Sequence, residues 1–240
     1  STLTNIRNLS LDELKTSFTE FGEKPFRAKQ VWEWLWQKNA HTFDQMSNLS
    51  LAFRAWLDAH YYIDYITLQD QQISKDRTIK SAFTIDDGKV IEGVLIPTST
   101  RMTACISSQI GCSLSCQFCA TGRLKLMRNL SAGEIVDQVV YLQEQAQQNY
   151  TQNLSNIVYM GMGEPLLNYK NVLLSIDRLC SPDGLGISPR RITVSTAGIA
   201  KMIAKFGDES HIPLLEGALA DEKPIGTWQV NNVNINNRPG

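Results

Sequence analysis

Three thiols stand within eight residues, Cys112, Cys116 and Cys119, in the stretch GCSLSCQFCATG at 111–122. Thiolates at such short intervals hold metal. Iron–sulfur clusters are bound by cysteine, usually four per cluster, and gaps of two or three residues let one loop wrap a cuboidal cluster. A fourth local thiol is absent, so one iron of such a cluster stays open to an outside ligand, by the logic that separates catalytic from structural zinc sites. Zinc is the alternative metal, but a knuckle needs a fourth Cys or His at close spacing, and the neighbouring residues supply none. The open iron predicts a reaction centre.

The CxxxCxxC spacing, with Phe118 directly before the third cysteine, resembles the signature of radical S-adenosylmethionine (SAM) enzymes. A second motif lies downstream. Gly161-Met-Gly-Glu-Pro165 follows the apolar run NIVYM (156–160), and its glycines permit close backbone approach while Glu164 offers an acceptor for an ammonium group. After a CxxxCxxC loop it looks like the glycine-glutamate motif that holds the amino group of SAM. Ser195 and Thr196 end the next apolar run, where hydroxyls serve either a ligand or the cap of a following helix. Arg123, Lys125 and Arg128 follow the cysteine loop and form either an ordinary basic face or a phosphate contact.

The elements that position these residues fall into two styles. Residues 1–62 read as a helical unit. Ser10-Leu-Asp-Glu13 is a capping box, Pro25 opens PFRAKQVWEWLWQKN with Val31, Trp32, Leu35 and Trp36 as a core stripe, and a third helix covers 51–61. Lys24, Arg27, Lys29 and Lys38 are candidates for a phosphate-contacting rim, and the unit reads as a docking module. From 63 to 100 the period becomes two: TIKSAFTI and KVIEGVLIP flank Asp86-Asp87-Gly88, whose Asp-Gly suits a type I′ hairpin turn. Glu92 lies in the second strand.

From 101 to 209 strand and helix alternate. A strand at 102–107, a helix opened by the Ser131–Glu134 capping box, the strand 156–160, a helix at 168–180, a strand at 191–195 and a helix at 198–206 predict about three βα units with parallel strands. Sites in such sheets lie beyond the C-terminal strand ends, so the cysteine loop, MGMGEP and STAG are expected on one rim. Residues 210–240 read as an atypical tail, rich in Asn and Pro without periodicity. The fold class expected is α/β: a partial (βα)6-type barrel with a small N-terminal helical domain.

Composition excludes little else. The 240 residues are 42% hydrophobic and 20% charged with a formal net charge of -1, so a nucleic-acid site must be a local patch. No apolar run reaches membrane-spanning length, no signal-peptide pattern opens the chain, and the thiol cluster suits a reducing compartment. A cytoplasmic protein is expected.

In combination, CISSQIGCSLSCQFCATG, MRNLSAGEIVDQVV, NIVYMGMGEPLLN and RRITVSTAGI resemble the RlmN family of radical SAM RNA methyltransferases, with Cfr-like C8 methyltransferases as the nearest rival. The resemblance runs from EKPFRAKQVWEW to about residue 209. It implies a [4Fe-4S] cluster, SAM, an electron donor such as flavodoxin or ferredoxin, and methylation of adenine C2 in 23S rRNA and some tRNAs, by a monomer. C2 is electron-poor and cannot attack a sulfonium methyl as a nitrogen can, so the family uses a radical to add a cysteine-borne methyl carbon. By the family pattern Cys112, Cys116 and Cys119 are cluster ligands, and Gly163, Glu164, Ser195 and Phe118 are SAM contacts. Glu92 is the acceptor of the C2 proton and Cys105, seven residues before Cys112, the resolving thiol. After Glu209 the chain departs from the pattern: no cysteine follows, Cys180 reads as a buried thiol rather than a methyl carrier, and an exposed parallel edge is expected, with either an enzyme that binds the cluster but does not complete methyl transfer or a non-catalytic RNA- or cluster-binding remnant.

Overall fold

The computed structural model describes residues 3–85, 87–114, 119, 121, 124–196 and the strands 227–230 and 233–237. The N-terminal unit begins with β1 (Thr4–Asn5) and three helices, α1 (Leu11–Phe21), α2 (Phe26–Trp36) and α3 (Leu51–His60). The capping box is formed: Ser10 accepts from Glu13 N–H at 3.2 Å and Glu13 accepts from Ser10 N–H at 2.7 Å. Trp32 and Trp36 are core residues, 5% and 2% exposed. A parallel pairing of β1 with β2 (Tyr61–Tyr62) closes the unit, a contact between two-residue strands that no periodicity announces.

The rest is organised on one sheet of eight strands. β3 (Thr67–Ile73), β4 (Ile79–Thr84), β5 (Val90–Pro97) and β6 (Met102–Cys105) form an antiparallel meander. The hairpin from 63 to 100 is thus continuous with the barrel strands. Its turn differs from the expected type I′: Gly88 N–H donates to Ile85 O at 2.8 Å and Ile85 N–H to Lys89 O at 3.0 Å. Gly88 has φ +75°. This is the pattern of a three-residue loop with glycine at the left-handed position.

A short ladder, β7 (Gln109–Ile110) against β8 (Arg128–Asn129), then closes off the cysteine loop. α4 (Ala132–Tyr150), β9 (Asn156–Tyr159), α5 (Tyr169–Cys180) and β10 (Ile192–Thr196) follow, and β9 lies parallel between β6 and β10. The tail adds β11 (Thr227–Val230) and β12 (Val233–Asn237), with β12 parallel to β10 along Ile192–Thr196. The β10 edge is therefore paired, which corrects the expected open edge. The helix expected at 198–206 lies outside the described residues.

One sheet face carries the core. Ile91, Leu95, Ala104, Ile157, Tyr159, Ile192 and Val194 are buried there, with Ile135, Val139 and Leu142 of α4 also fully buried. A Cβ on Gly93 would meet Phe83 Cε2 at 2.9 Å and Leu142 Cδ1 at 3.4 Å, so glycine lets α4 cross the sheet closely. Fully burying each such aliphatic side chain contributes about 1.5–3 kcal/mol.

Two arginines fasten the helical unit to this body. Arg7, 1% exposed, donates to Asp137 Oδ1 of α4 at 2.7 Å and to Asp64 O at 3.0 Å, with its guanidinium 4.7 Å from the Trp36 ring centre. Arg178 of α5 lies 4.3 Å from the Trp32 ring centre.

Candidate functional site

The opposite sheet face is half-exposed, and strand register puts the expected site residues on it. Val94 is directly opposite Cys105, Cys105 opposite Val158, and Val158 opposite Thr193. Side chains alternate along a strand, so Glu92 and Ser195, each two residues from that row, share the face of Cys105. Both lie toward the C-terminal end of β6. With β-sheet spacings, the Glu92 and Cys105 Cα atoms are about 8 Å apart.

Glu92 is held by Lys80 of β4, whose Nζ lies 2.5 Å from Oε1, both side chains about half exposed (50% and 46%). The Cys105 thiol is different. Burial pushes its pKa up to about 11, partly opposed by a hydrogen bond from the Met160 backbone. It is a protonated thiol at neutral pH.

The loop that leaves β6 is stitched to the turn that leaves β9. Ser108 and Gln109 N–H groups both donate to Met162 O, at 2.9 and 3.2 Å, and Glu164 N–H donates to Gln109 Oε1 at 2.8 Å. Gly163 has φ +95°, and a Cβ there would lie 2.4 Å from Gln109 Cβ; one on Gly161 would lie 2.7 Å from Ile106 C. The two glycines are thus demanded by the approach of loop 106–109. Glu164 is 3% exposed, and its Oε1 accepts the Leu166 N–H at 3.0 Å and the Thr196 hydroxyl at 2.7 Å. The carboxylate therefore ties the β9 turn to the end of β10.

Of the three clustered cysteines, Cys112 and Cys119 are half-buried, while Cys116 and Phe118 lie outside the described residues. Among the described residues no group of three metal-ligating side chains is gathered. The surroundings fit a cluster and its ligand. Leu114 N–H points at Cys112 Sγ at 3.4 Å, the kind of donor that stabilises a thiolate, and the buried Ser108 Oγ finds no hydrogen-bond partner among the described residues.

The basic residues after the loop divide. Arg128 is a structural fork: Nη1 and Nη2 reach the two Glu134 oxygens at 2.8 and 2.7 Å, and Nε reaches Asp87 Oδ2 at 2.9 Å. Its guanidinium is thus already engaged by two carboxylates. Lys125 is exposed, and Arg123 lies outside the described residues. On the helical unit Arg27 is drawn toward Glu23 and Asn48, Lys29 toward Asp183, and Lys38 sits over the Trp34 ring at 3.9 Å. Sequence reasoning overlooked the buried amides Gln109, Gln138 and Asn168. Polar residues inside otherwise apolar runs were the available signal.

A mixed sheet whose parallel strands β6, β9 and β10 end at one rim, with the turn Gly163-Glu164 there and Cys112 on the loop that leaves β6, is consistent with a radical SAM fold. The comparisons agree: the fold is similar to the crystal structure of a radical SAM methyltransferase from Sphaerobacter thermophilus, with TM-score 0.75 and 37% identity over 86% of this chain and 61% of that one. Residues 4–63 match the family model of the ribosomal RNA large subunit methyltransferase N-terminal domain. The chain is 56% identical over 85% of its length to the "Probable dual-specificity RNA methyltransferase RlmN" of Cytophaga hutchinsonii, and 44% identical over 85% to the "Dual-specificity RNA methyltransferase RlmN" of Solidesulfovibrio magneticus. The chain belongs to the RlmN family, and it spans 56% and 59% of the length of those two relatives.

Proposed function

We propose that this chain carries the cluster- and SAM-binding portion of a methyltransferase acting on C2 of an adenine in 23S rRNA and in some tRNAs. The observation that carries the reading is the shared sheet face: Glu92, Cys105 and Ser195 lie on it by register, at the end where the cysteine loop and the Gly163-Glu164 turn emerge. Cys112, Cys116 and Cys119 would hold a [4Fe-4S] cluster. Gly163, Glu164, Ser195 and Phe118 would contact SAM. When bound, the pair supplies a carbon-centred radical by one-electron cleavage of the sulfonium.

The protein's own groups then do the rest. Glu92, a carboxylate beside an ammonium on an open face, is suited to take the C2 proton of a substrate lying on the sheet. Cys105, half-buried further along the same face, would be the resolving thiol, held protonated until it is needed. Residues 1–62 serve as an RNA-docking unit and residues 101–209 as the catalytic partial barrel with 63–100 extending its sheet, while 210–240 is an atypical tail whose strand β12 pairs with β10. A flavodoxin or ferredoxin would supply the electron to a cytoplasmic monomer.

Electron paramagnetic resonance tests this reading. The anaerobically reconstituted, dithionite-reduced chain should show a cluster signal that shifts when SAM is added, and Cys119→Ser should lose it. A signal indifferent to SAM would remove the proposed SAM site, and a chain that takes up no iron would remove the cluster.

A further inference from the structure

Where β6 ends, the sheet stops using backbone partners on one side. Ile106 still bonds to β9 and its turn, donating to Val158 O and accepting from Gly161 N–H, each at 2.9 Å. Among the described residues the Ser107 backbone makes no hydrogen bond to a strand. Its N–H donates to Gln138 Oε1 at 2.8 Å and its carbonyl accepts from Gln138 Nε2 at 3.0 Å. One carboxamide on α4 thus takes both positions that a neighbouring strand would fill. The freed hydroxyl is used as well: Ser107 Oγ donates to Glu92 O at 2.6 Å and accepts from Met162 N–H at 2.8 Å.

Gln138 and Ser107 are both 0% exposed. Gln138 Nε2 also reaches Glu134 O of its own helix at 3.2 Å, which fixes the amide's orientation. A buried carboxamide with every polar atom engaged is rigid, and breaking it leaves two buried backbone groups unpaired. The Glu92 strand, the root of the cysteine loop and the Gly161–Glu164 turn therefore meet at one residue, which is itself held from below by one side chain.

We propose that Gln138 is a positioning residue. By replacing a strand partner at Ser107 it sets, through the Ser107 hydroxyl, the separation between Glu92 and the Met162–Glu164 turn, and so holds the proton acceptor and the SAM contacts as a single unit. The functional part rests on the roles given to Glu92, Gly163 and Glu164 under Proposed function. The mechanical part does not.

Two variants and two readouts separate these parts. Gln138→Met keeps volume and removes both hydrogen bonds to Ser107 along with that to Glu134 O, and Ser107→Ala removes only the hydroxyl bridge, so the second decides the matter if the first does not fold. Hydrogen exchange is followed in peptides spanning 90–95 and 160–166, with the α1–α3 unit as internal reference. Both variants should speed exchange in the 160–166 peptide about tenfold or more while the reference is unchanged. On the reconstituted chain the SAM dissociation constant should rise about 10- to 100-fold, the usual effect of removing an outer support of a metal site. Exchange at 160–166 within twofold of the parent in both variants would overturn the proposal. Unchanged SAM affinity alongside faster exchange would overturn its functional part. A parent that binds no SAM would instead count against the reading under Proposed function, while exchange would still decide the mechanical role of Gln138.

Discussion

Replacing Arg7 by Met should detach the helical unit from the barrel. In the parent, Arg7 Nη2 lies 2.7 Å from Asp137 Oδ1 and Nη1 lies 3.9 Å from Asp64 Oδ1, with both side chains of the first pair at most 1% exposed. Asp137 Oδ2 accepts the Ile66 N–H at 3.2 Å, and Asp64 Oδ2 accepts the Ser131 hydroxyl. Removing the cation strands a buried carboxylate, which costs about 3–5 kcal/mol when one partner of such a pair is lost. A whole domain is stable by only about 5–15 kcal/mol. Arg7→Met should therefore lower the urea midpoint strongly, read through the fluorescence of Trp32, which faces Arg178 across the junction, and of Trp36, which lies under Arg7 itself.

The pH dependence has a definite sign. Burial raises the Asp64 pKa, and Arg7 is the largest opposing influence. A carboxyl whose folded pKa is raised favours the fold below its unfolded pKa and loses that contribution as pH rises through the folded value. Deleting Arg7 removes the opposition, so the deficit of Arg7→Met should be smaller near pH 4 than near pH 8. Adding Asp137→Asn should recover about half of the loss or more, since the amide keeps an acceptor for Ile66 without a charge. A loss below about 1 kcal/mol, or a deficit that grows on acidification, would refute the reasoning.

Three further outcomes follow from single sites. Cys105, with a pKa of about 11 against an ordinary 9.0, should alkylate at pH 8 roughly 100-fold more slowly than an exposed thiol, with a rate still rising at pH 10; a plateau below pH 9, seen by mass spectrometry of the labelled peptide, would contradict this. Gly163→Ala combines φ +95° with a Cβ 2.4 Å from Gln109 Cβ and should cost about 2–5 kcal/mol in chemical denaturation, whereas Gly88→Ala, at φ +75° in open space, should cost about 1–2. Arg128→Ala should destabilise the chain by about 2–3 kcal/mol by unpairing Glu134, which is 3% exposed, and leave the salt slope of RNA binding unchanged, while Lys125→Ala should lower that slope with little effect on stability.

Covalent spacing and periodicity account for what the amino-acid order made legible. Both serine-glutamate capping boxes, the tryptophan stripe and the alternation β6-α4-β9-α5-β10 are local patterns, and each appears where the pattern puts it. β3 was missed because Thr67–Ile73 is polar and largely exposed along its length, so no alternation marks it. The β12 pairing was missed for a related reason: a strand in an Asn-rich stretch is specified by the free edge of β10 rather than by its own pattern. Within the site, the shared face of Glu92, Cys105 and Ser195 needs register, which only tertiary pairing reveals. Arg128 illustrates the converse, since a basic residue beside a reactive loop resembles a phosphate ligand until Glu134 and Asp87 are seen to hold it.

The central claim is that the rim of this sheet assembles a working radical SAM site, and it is tested most directly by supplying anaerobically reconstituted protein with SAM and dithionite and quantifying 5′-deoxyadenosine. The account predicts product from the parent chain and none from Cys116→Ala. Iron-loaded parent protein that yields no more product than Cys116→Ala would contradict it.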